Sequence, residues 1–221
     1  MANEIREAAD GKLQILVTGA GSYIGSSFAA WLGQWPDRYR VDAVDTIGED
    51  WKKTSFRGYD AVFHVAGIAH VTADPAKTDL YRKVNTDLAI AVAIKAKTDG
   101  VGQFVFMSSA LVYGADDPVG VWRPITSDTK PAPSDVYGNS KWMAERGLAD
   151  IAEDNFTISV LRAPSVYGPN SKGNFPRLMK LAQWCPVFPS VGTRRSMLYI
   201  DHLCAFVRIV IEQRAGGVFF P

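Results

Sequence analysis

A glycine-rich turn near the amino terminus restricts the possible folds more than any other segment of the chain. Residues 19–25 read Gly-Ala-Gly-Ser-Tyr-Ile-Gly and directly follow an apolar run at residues 13–17. Residues 22–35 then carry apolar side chains at helical spacing, and Pro36 and Asp37 end that pattern. Because a short, wholly apolar run is typical of a buried parallel strand, the segment is predicted to be a strand, a tight turn and a helix.

The rest of the chain alternates short apolar runs with longer amphipathic segments. Further strands are predicted at residues 39–45, 60–65, 103–107, 157–161, 197–200 and 217–220, and further helices at residues 80–97, 134–151, 175–184 and 201–213. Ser134 and Asp201 are the expected caps of two of these helices. The proline-rich stretches near residues 118–133 and 164–189 are expected to be loops on the rim of a substrate site. The fold class predicted is α/β, with a Rossmann-type doubly wound parallel sheet and helices on both faces.

Charge and composition argue against several classes of protein. The chain of 221 residues has 24 Lys and Arg against 23 Asp and Glu, so it has no basic surface for nucleic acid or an anionic membrane. No apolar run approaches the roughly 18 residues of a membrane-spanning helix, and two cysteines suit a reducing compartment. The expectation is a cytoplasmic protein. His64 and His70 lack supporting carboxylates, so no metal site is predicted.

The glycine-rich turn has the features of a phosphate-binding loop. Glycines allow the backbone to approach a pyrophosphate, and the following helix offers unpaired N–H groups and the positive end of its dipole. Asp45 ends the second predicted strand, 26 residues after Gly19. A carboxylate there accepts hydrogen bonds from ribose hydroxyls and repels a 2′-phosphate, which favours NAD over NADP. The alternative is a solvated acid at a strand end.

A candidate proton-transfer group lies further along the chain. Tyr137 and Lys141 are four residues apart on a predicted helix and therefore share one face. A phenol is a poor base at neutral pH, but a nearby cation favours the phenolate. Bringing its pKa to near 7 requires roughly 4 kcal/mol. Ser108 and Ser109 directly follow the strand predicted at residues 103–107, at the edge of the sheet where ligands bind. The alternative is a surface helix without chemistry.

These segments together resemble the extended short-chain dehydrogenase/reductases, and most closely the NAD-dependent epimerase/dehydratase group that acts on nucleotide sugars. The resemblance runs from about Leu13 to the carboxyl terminus. Its motifs occur in family order at residues 18–25, 45, 60 and 64–67, 84–86, 108–114, 137–141, 161–162 with 166–169, and 195–201.

The resemblance implies roles for particular residues. Tyr137 would be the acid/base, Lys141 would position the nicotinamide ribose and tune Tyr137, and Ser109 would polarise the reacting oxygen. Asp60 would touch the adenine, and Asn85 would support the active site from the long helix. The residues expected to bind NAD are Gly19, Gly21, Ser22, Tyr23, Ile24, Gly25, Asp45, Asp60, Ala66, Gly67, Asn85, Ser108, Tyr137, Lys141 and Pro164. Those expected to bind the substrate are Ser109, Ser165 and Arg195.

The chain departs from the family pattern at three places. Ser22 stands where the turn usually has its middle glycine, and Ser165 replaces the usual asparagine before Val-Tyr-Gly-Pro. The chain also ends at Pro221, before the usual end of the substrate lobe. The expected organisation is a polar extension at residues 1–12, an NAD-binding domain at residues 13–165 and a partial, abridged substrate lobe at residues 166–221. Such a chain is either a short family member or a piece of a longer protein.

The function predicted is an NAD-dependent nucleotide-sugar epimerase that acts through a transient keto-sugar. A dehydratase of this family usually has an acidic pair after the strand-end serine or threonine, where this chain has Ala110 and Leu111. The alternatives are a reductase or dehydratase that uses NAD or NADP on a sugar-like substrate, and a dinucleotide-binding protein without turnover. The resemblance also implies a homodimer formed through the helices at residues 80–97 and 134–151.

Overall fold

A computed structural model describes residues 11–69, 78–114, 124–171, 174–185 and 194–221. The strands are β1 (Leu13–Thr18), β2 (Tyr39–Val44), β3 (Ala61–His64), β4 (Gln103–Ser109), β5 (Thr157–Ala163), β6 (Ser165–Tyr167), β7 (Met197–Tyr199) and β8 (Gly217–Phe219). The α-helices are α1 (Tyr23–Leu32), α2 (Thr78–Tyr81), α3 (Leu88–Thr98), α4 (Val136–Ala149), α5 (Asn174–Trp184) and α6 (Ile200–Glu212). Two 3₁₀ turns, Asp50–Lys53 and Ala110–Tyr113, and a π-helical segment, Arg82–Asp87, complete the described elements.

Six of the strands form one sheet, in the order β2-β1-β3-β4-β5-β8, and all neighbours are parallel. Strand order reverses between β1 and β3, so the carboxyl ends of these two strands flank the switch point where open α/β sheets bind ligands. A second, two-stranded parallel sheet joins β6 to β7. The Rossmann-type α/β fold predicted from the sequence is confirmed.

Successive residues of each strand point to opposite faces of the large sheet, and each face has its own hydrophobic core. Val17, Phe63 and Val105 point to one face, where they pack with α1 and α6. Phe104 and Val62 point to the other face, where they pack with α3 and α4. Each fully buried side chain of this size contributes about 1.5–3 kcal/mol, so both layers of helices are firmly attached to the strands that carry the site.

The structure corrects three local predictions. Asp135, rather than Ser134, caps α4: its extended backbone lets Oδ1 accept a hydrogen bond from the N–H of Gly138 at 2.6 Å. Helix α6 begins at Ile200, which places Asp201 within its first turn rather than at its cap. The predicted loop after residue 164 begins with strand β6, which exists because β7 pairs with it. Residues 124–133 are irregular, as predicted, and residues 115–123 lie outside the described ranges.

The long helix predicted at residues 80–97 is not a single α-helix. Helix α2 leads into the π-helical segment Arg82–Asp87, and α3 continues from Leu88. The backbone N–H of Leu88 donates to the carbonyl of Lys83, five residues earlier. The turn is therefore wider than an α-turn, and π-turns of this kind are frequent at functional sites.

Helix α5 differs from the other helices in its burial. All of residues 177–184 are exposed, among them Leu178, Met179, Leu181 and Trp184.

Within the described part of the chain, no helix has the length and apolar character to cross a membrane. The division of the chain at residue 165 stays a prediction, although α6 and β8 pack into the large sheet.

Candidate active site

The glycine-rich turn lies where the carboxyl ends of β1 and β2 meet. The N–H groups of Gly19 and Ala20 both donate to the carbonyl of Val44, at 3.0 and 3.2 Å. This pair of hydrogen bonds ties the turn to the last residue of β2, so Asp45 follows immediately beside it. The expected proximity of the turn and Asp45 is thus present in the structure.

Two of the glycines are required by close packing. Gly19 has a φ of +93°, and a Cβ there would lie 2.8 Å from the backbone N of Ala66. A Cβ on Gly25 would lie 2.8 Å from Ser22 Oγ and 2.9 Å from a methyl carbon of Val17. The first contact brings the turn against the segment after β3, and the second packs α1 against β1. These close contacts explain why neither Gly19 nor Gly25 can carry a side chain.

Gly21 lies in a different environment. Its φ is +77°, and a Cβ built on it would meet no atom within 4 Å. The space next to this residue is therefore open, and α1 begins two residues later, at Tyr23. Backbone without a side chain, next to the amino terminus of a helix, suits a pyrophosphate.

The serine at the middle position of the turn has a clear local role. Ser22 is the N-cap of α1, and its Oγ accepts a hydrogen bond from the N–H of Gly25 at 3.1 Å. Such a cap typically contributes about 1 kcal/mol. The departure from the usual glycine pattern is therefore accommodated by helix capping, while Gly21 keeps the backbone open one residue earlier.

The two acidic residues expected to contact the adenosine lie at different edges of the sheet. Asp45 is exposed at the carboxyl edge, where its Oδ1 accepts from the N–H of Ile47 at 2.9 Å. Asp60 precedes β3 and lies at the amino edge, where its Oδ2 accepts from the N–H of Gln14 at 2.8 Å. The structure therefore does not bring Asp60 to the site, which corrects its expected contact with the adenine.

Ser109, Tyr137 and Lys141 meet at the carboxyl end of β4. Ser109 is the last residue of that strand, and its side chain is close enough to Tyr137, near the start of α4, to influence the pKa of that phenol. Burial raises the pKa of Tyr137 to about 12, while the interaction with Ser109 lowers it; the charges of Asp135 and Tyr81 raise it further. As it stands, the phenol is protonated at neutral pH.

Lys141 is buried behind this pair. Its Nζ donates to the carbonyl oxygen of Met107 at 2.9 Å and lies 4.7 Å from the ring centre of Phe106. Burial lowers the pKa of Lys141 to about 8, and the charge of Glu145 opposes that shift. Because the ammonium group is engaged by Met107, the tuning of Tyr137 by Lys141 stays a prediction.

Asn85 connects the π-helical segment to the rest of the site. Its Oδ1 accepts from the N–H of Ile68 at 2.8 Å, and its Nδ2 donates to Ile68 O and to Ser140 Oγ, both at 3.0 Å. Ser140 Oγ in turn donates to the carbonyl of Tyr137 at 2.7 Å. A Cβ on Gly67 would lie 3.0 Å from Asn85 Oδ1 and 3.3 Å from Lys141 Nζ. The structure thus brings Gly67, Asn85 and Lys141 together.

Two of the expected substrate-binding residues, Ser165 and Arg195, lie at the small sheet. Ser165 begins β6, directly after Pro164, and pairs with Met197 at the start of β7. Arg195 precedes β7 by two residues, and its neighbour Arg194 is equally exposed. Pairing of β6 with β7 therefore brings Ser165 and Arg195 to the same end of this sheet.

Tyr23 joins the glycine-rich turn to the small sheet. A Cβ on Gly168, which has a φ of +156°, would lie 2.9 Å from the hydroxyl oxygen of Tyr23. Burial raises the pKa of this phenol, with smaller contributions from Tyr199, Cys204 and Asp201. Ile24, next to it, packs on the core under α1. Tyr23 and Ile24 therefore pack against the protein interior and fix the start of α1, next to the glycine-rich turn.

Sequence reasoning missed a buried polar cluster behind the site. The hydroxyl of Ser108 donates to Glu145, and Glu145 pairs with Arg162. Ser108 was expected to contact the cofactor, but its side chain belongs to this cluster instead. A signal was available, since Glu145 follows Lys141 by four residues and so shares its face of α4.

His64 is a structural residue. It is fully buried, and its Nδ1 lies 2.7 Å from Thr18 Oγ1 at the end of β1. Burial lowers its pKa to about 3, and the charge of Lys141 lowers it further, so the ring is neutral. Across the described residues, no three His, Cys, Asp or Glu side chains are placed to hold a metal ion. His70 lies outside the described residues.

The fold and this arrangement define a dinucleotide-binding α/β protein of the Rossmann type. The sequence profile of the NAD dependent epimerase/dehydratase family matches residues 15–219. UDP-glucose 4-epimerase of Vibrio cholerae is 32% identical, over 93% of this chain and 69% of its own length. UDP-glucose 4-epimerase of Erwinia amylovora is 31% identical, over 73% of this chain and 56% of its own. The solved structure of MoeE5 in complex with UDP-glucose and NAD has a TM-score of 0.75 and 26% identity, covering 94% of this chain and 75% of that one.

The chain belongs to the NAD-dependent epimerase/dehydratase family. This membership confirms the resemblance read from the motifs, and with it the expectation of an NAD-dependent enzyme of this family. NAD is the cofactor of the family, and the residues present here fit it: the backbone at Gly21 has open space beside it, and the helix α1 that follows is capped by Ser22.

A pair of glycine variants tests this binding site. Gly21→Ala should weaken NAD binding about tenfold or more, because the new methyl group enters the open space beside the turn, where the pyrophosphate is expected. Gly100→Ala is the matched control: its φ of +85° also disfavours alanine, its Cβ also meets nothing within 4 Å, and it lies at the end of α3. Both variants should lose about 1 kcal/mol of stability. Calorimetric titration with NAD and thermal unfolding would measure the two effects, and equal affinities would contradict the assignment.

Proposed function

We propose that this chain carries the catalytic part of an NAD-dependent nucleotide-sugar epimerase, with Tyr137 as the acid/base. The observation that carries the proposal is the meeting of Ser109, Tyr137 and Lys141 at the carboxyl edge of the sheet, the same edge that holds the glycine-rich turn. Its relatives named as UDP-glucose 4-epimerases support the substrate class.

Each of the three residues has a distinct task in this proposal. NAD, held at the glycine-rich turn, would supply the hydride acceptor and donor for the sugar carbon. Tyr137 takes the proton from the sugar hydroxyl and later gives it back, and the Ser109 hydroxyl donates a hydrogen bond to the reacting oxygen. Lys141 supplies the positive charge that favours the phenolate.

The protonation state of Tyr137 sets the energetic requirement. Its pKa of about 12 must fall by about five units for the phenol to act at neutral pH, which corresponds to roughly 7 kcal/mol. The interaction with Ser109 lowers the pKa but does not overcome burial. The remainder must come from the complex with cofactor and substrate, where the positive charge of Lys141 would favour the phenolate.

Several features favour an epimerase over the alternatives. The 3₁₀ turn after Ser109 carries Ala110 and Leu111, which cannot act as the acid and base of a dehydratase. Asp45, beside the glycine-rich turn, argues against a reductase that requires NADP. The intact set at the end of β4 argues against a dinucleotide-binding protein without turnover, since binding alone does not need it.

Ser165 and Arg195 are the proposed contacts to the substrate diphosphate. Arg195 is exposed at the start of β7, and a guanidinium group recognises phosphate oxygens with two parallel hydrogen bonds. Ser165 lies at the same end of the small sheet and adds a hydroxyl group. Arg194 has the same chemistry and differs from Arg195 by one position along the chain.

Conversion of a panel of UDP- and dTDP-hexoses in the presence of NAD, followed by NMR, tests the proposal. We expect a sugar inverted at one ring carbon, with no net change in the amount of NAD. Loss of water from the sugar would indicate a dehydratase, and net oxidation of a reduced cofactor would indicate a reductase. Binding of NAD without conversion of any sugar would contradict an active epimerase in this chain.

A homodimer remains part of the proposal. Helices α3 and α4 pack on the same face of the sheet, and Ile94 and Met143 expose apolar side chains on them. These two helices are those through which the family resemblance implies dimerisation. The oligomeric state in solution decides this point, and a cytoplasmic location likewise stays a prediction.

A further inference from the structure

A buried ion pair lies one helical turn behind Lys141. Glu145 is 5% exposed and Arg162 is 8% exposed. Arg162 Nε lies 3.2 and 3.0 Å from the two carboxylate oxygens, and Nη2 lies 2.6 Å from Oε2. The pair is therefore bidentate and well aligned, which is the geometry that a buried ion pair needs.

Both partners of this pair are fixed by further contacts. The hydroxyl of Ser108 donates to Glu145, and Nη1 of Arg162 forms a hydrogen bond with the hydroxyl of Tyr113. The guanidinium carbon also lies 5.1 Å from the ring centre of Tyr113 and 5.5 Å from that of Trp142. Strands β4 and β5, helix α4 and the turn after Ser109 all contribute, so the carboxylate has little freedom.

Stability alone is a weak reason for such a pair. Removing two charges from water costs several kcal/mol each, and well-packed apolar residues often serve as well or better. The cluster does, however, give a defined order of charge: cationic Lys141, then anionic Glu145, then cationic Arg162. Since Glu145 is four residues after Lys141 on α4, its carboxylate is the negative charge placed on the side of the lysine away from Tyr137.

The other groups around Lys141 do not replace this charge. His64 on β3 is neutral, because burial holds its pKa at about 3. Tyr137 on α4 is protonated, β4 contributes the carbonyl of Met107, and the π-helical segment contributes the amide of Asn85. Arg162 on β5 is a cation and disfavours a second one. Among the described residues, the carboxylate of Glu145 is therefore the charge that opposes the lowering of the pKa of Lys141 by burial.

We propose that Glu145, held in place by Arg162, is a positioning residue that keeps the buried Lys141 protonated. The consequence for catalysis rests on the proposed function, because the charge of Lys141 matters there through Tyr137. The charge itself does not depend on turnover and is measurable in the protein without cofactor or substrate.

Substitutions of the two partners should move the pKa of Lys141 in opposite directions. Its present value is about 8. Glu145→Gln should lower the pKa by about one unit, because it removes the opposing negative charge. Arg162→Met should raise it, because it removes the cation that partly neutralises Glu145. The ¹³Cε shift of Lys141, followed against pH in lysine-labelled protein and assigned with Lys141→Arg, would measure both changes.

A matched control and a second variant keep the test decisive. Glu153→Gln removes an exposed carboxylate that pairs with Lys97, so it should leave the pKa of Lys141 unchanged. If Glu145→Gln fails to fold with Arg162 unpaired, Glu145→Gln combined with Arg162→Met removes both charges and should still lower the pKa, by less than the single change. Shifts of the same sign in both single variants, or no shift in either, would overturn the proposal.

Where turnover is present, the pH dependence gives a second measurement. Activity that needs protonated Lys141 is lost as the pH rises through its pKa. The basic limb of kcat should therefore move to lower pH in Glu145→Gln, and it should stay in place in Glu153→Gln. If no sugar is converted by any variant, the proposed function fails, while the opposite shifts measured by NMR would still support the role of Glu145.

Discussion

Tyr137→Phe should abolish epimerisation almost completely, with kcat reduced by about 10³-fold or more. Among the described residues at the end of β4, the phenol is the group placed to exchange a proton with a sugar hydroxyl, and general acid–base catalysis typically contributes about 10²–10⁴-fold. The variant keeps the aromatic ring, so the contact with the ring of Tyr81, 6.3 Å away between centres, remains. NMR of sugar conversion and calorimetric titration with NAD would separate lost chemistry from lost binding.

Tyr59→Phe provides the control for the loss of one hydroxyl group. Its phenol donates to Asp42 Oδ2 at 2.9 Å, and burial also raises its pKa to about 12. Tyr59 lies just before β3, at the amino edge of the sheet, so kcat should stay at the level of the unaltered protein. Equal activity of Tyr137→Phe and Tyr59→Phe would rule out Tyr137 as the acid/base.

Gly138→Ala should reduce kcat by about 10²-fold with little effect on NAD binding. A Cβ at this position would lie 2.4 Å from the carbonyl oxygen of Leu111 and 3.0 Å from its carbonyl carbon. These are backbone atoms of the turn that follows Ser109, so the start of α4 must move away from that turn. A displacement of about 1 Å between reacting groups can cost about 10²-fold in rate.

Gly147→Ala, on the same helix, is the matched control. Its Cβ would also lie 2.4 Å from another atom, but that atom is Cδ1 of Ile90, at the end of a flexible side chain. The intrinsic helix preference of alanine over glycine, about 1 kcal/mol, applies to both sites. We expect Gly147→Ala to keep its kcat and Gly138→Ala to lose it. Retention of full activity in Gly138→Ala would mean that the spacing of Ser109 and Tyr137 is not critical.

The fold could be predicted from the sequence because its strands are buried on both faces. Phe104, Val105 and Phe106 are adjacent residues on β4, and all three are buried. Such uninterrupted apolar runs occur in parallel sheets covered by helices, and the intervening helical patterns supply the crossovers. The strands therefore appear in the sequence as clear signals, with bounds close to those observed.

The parts of the fold that escaped prediction depend on contacts distant in sequence. Strand β6 is three residues long and exists through its pairing with β7, which lies some 30 residues later. The spacing of apolar residues does not reveal the π-helical segment Arg82–Asp87. Its buried residue Asn85 is polar and is held there by hydrogen bonds to Ile68 and Ser140. Asp135 and Ser134 are both good capping residues, and only the backbone geometry decides between them.

In the candidate site, too, some features could be predicted from the sequence and others depend on contacts between distant residues. The positions of Ser109, Tyr137 and Lys141 followed from their motifs, because strand ends and helix starts meet at one edge of a parallel sheet. The adenine contact of Asp60 did not follow, since it came from the family resemblance, whereas the position of Asp60 before β3 places it at the amino edge. The ion pair of Glu145 with Arg162 joins a helix to a strand and is visible only in three dimensions.

Helix α5 bears on how this chain would respond to a protease. Residues 177–184 are exposed throughout, so opening this helix costs much less free energy than unfolding the sheet. Arg177 and Lys180 lie within it, and both are sites for trypsin. A cut there would not release the carboxyl-terminal piece, because α6 packs into the core and β8 pairs with β5. The two pieces would remain together as a split protein, held by the sheet in place of the peptide bond.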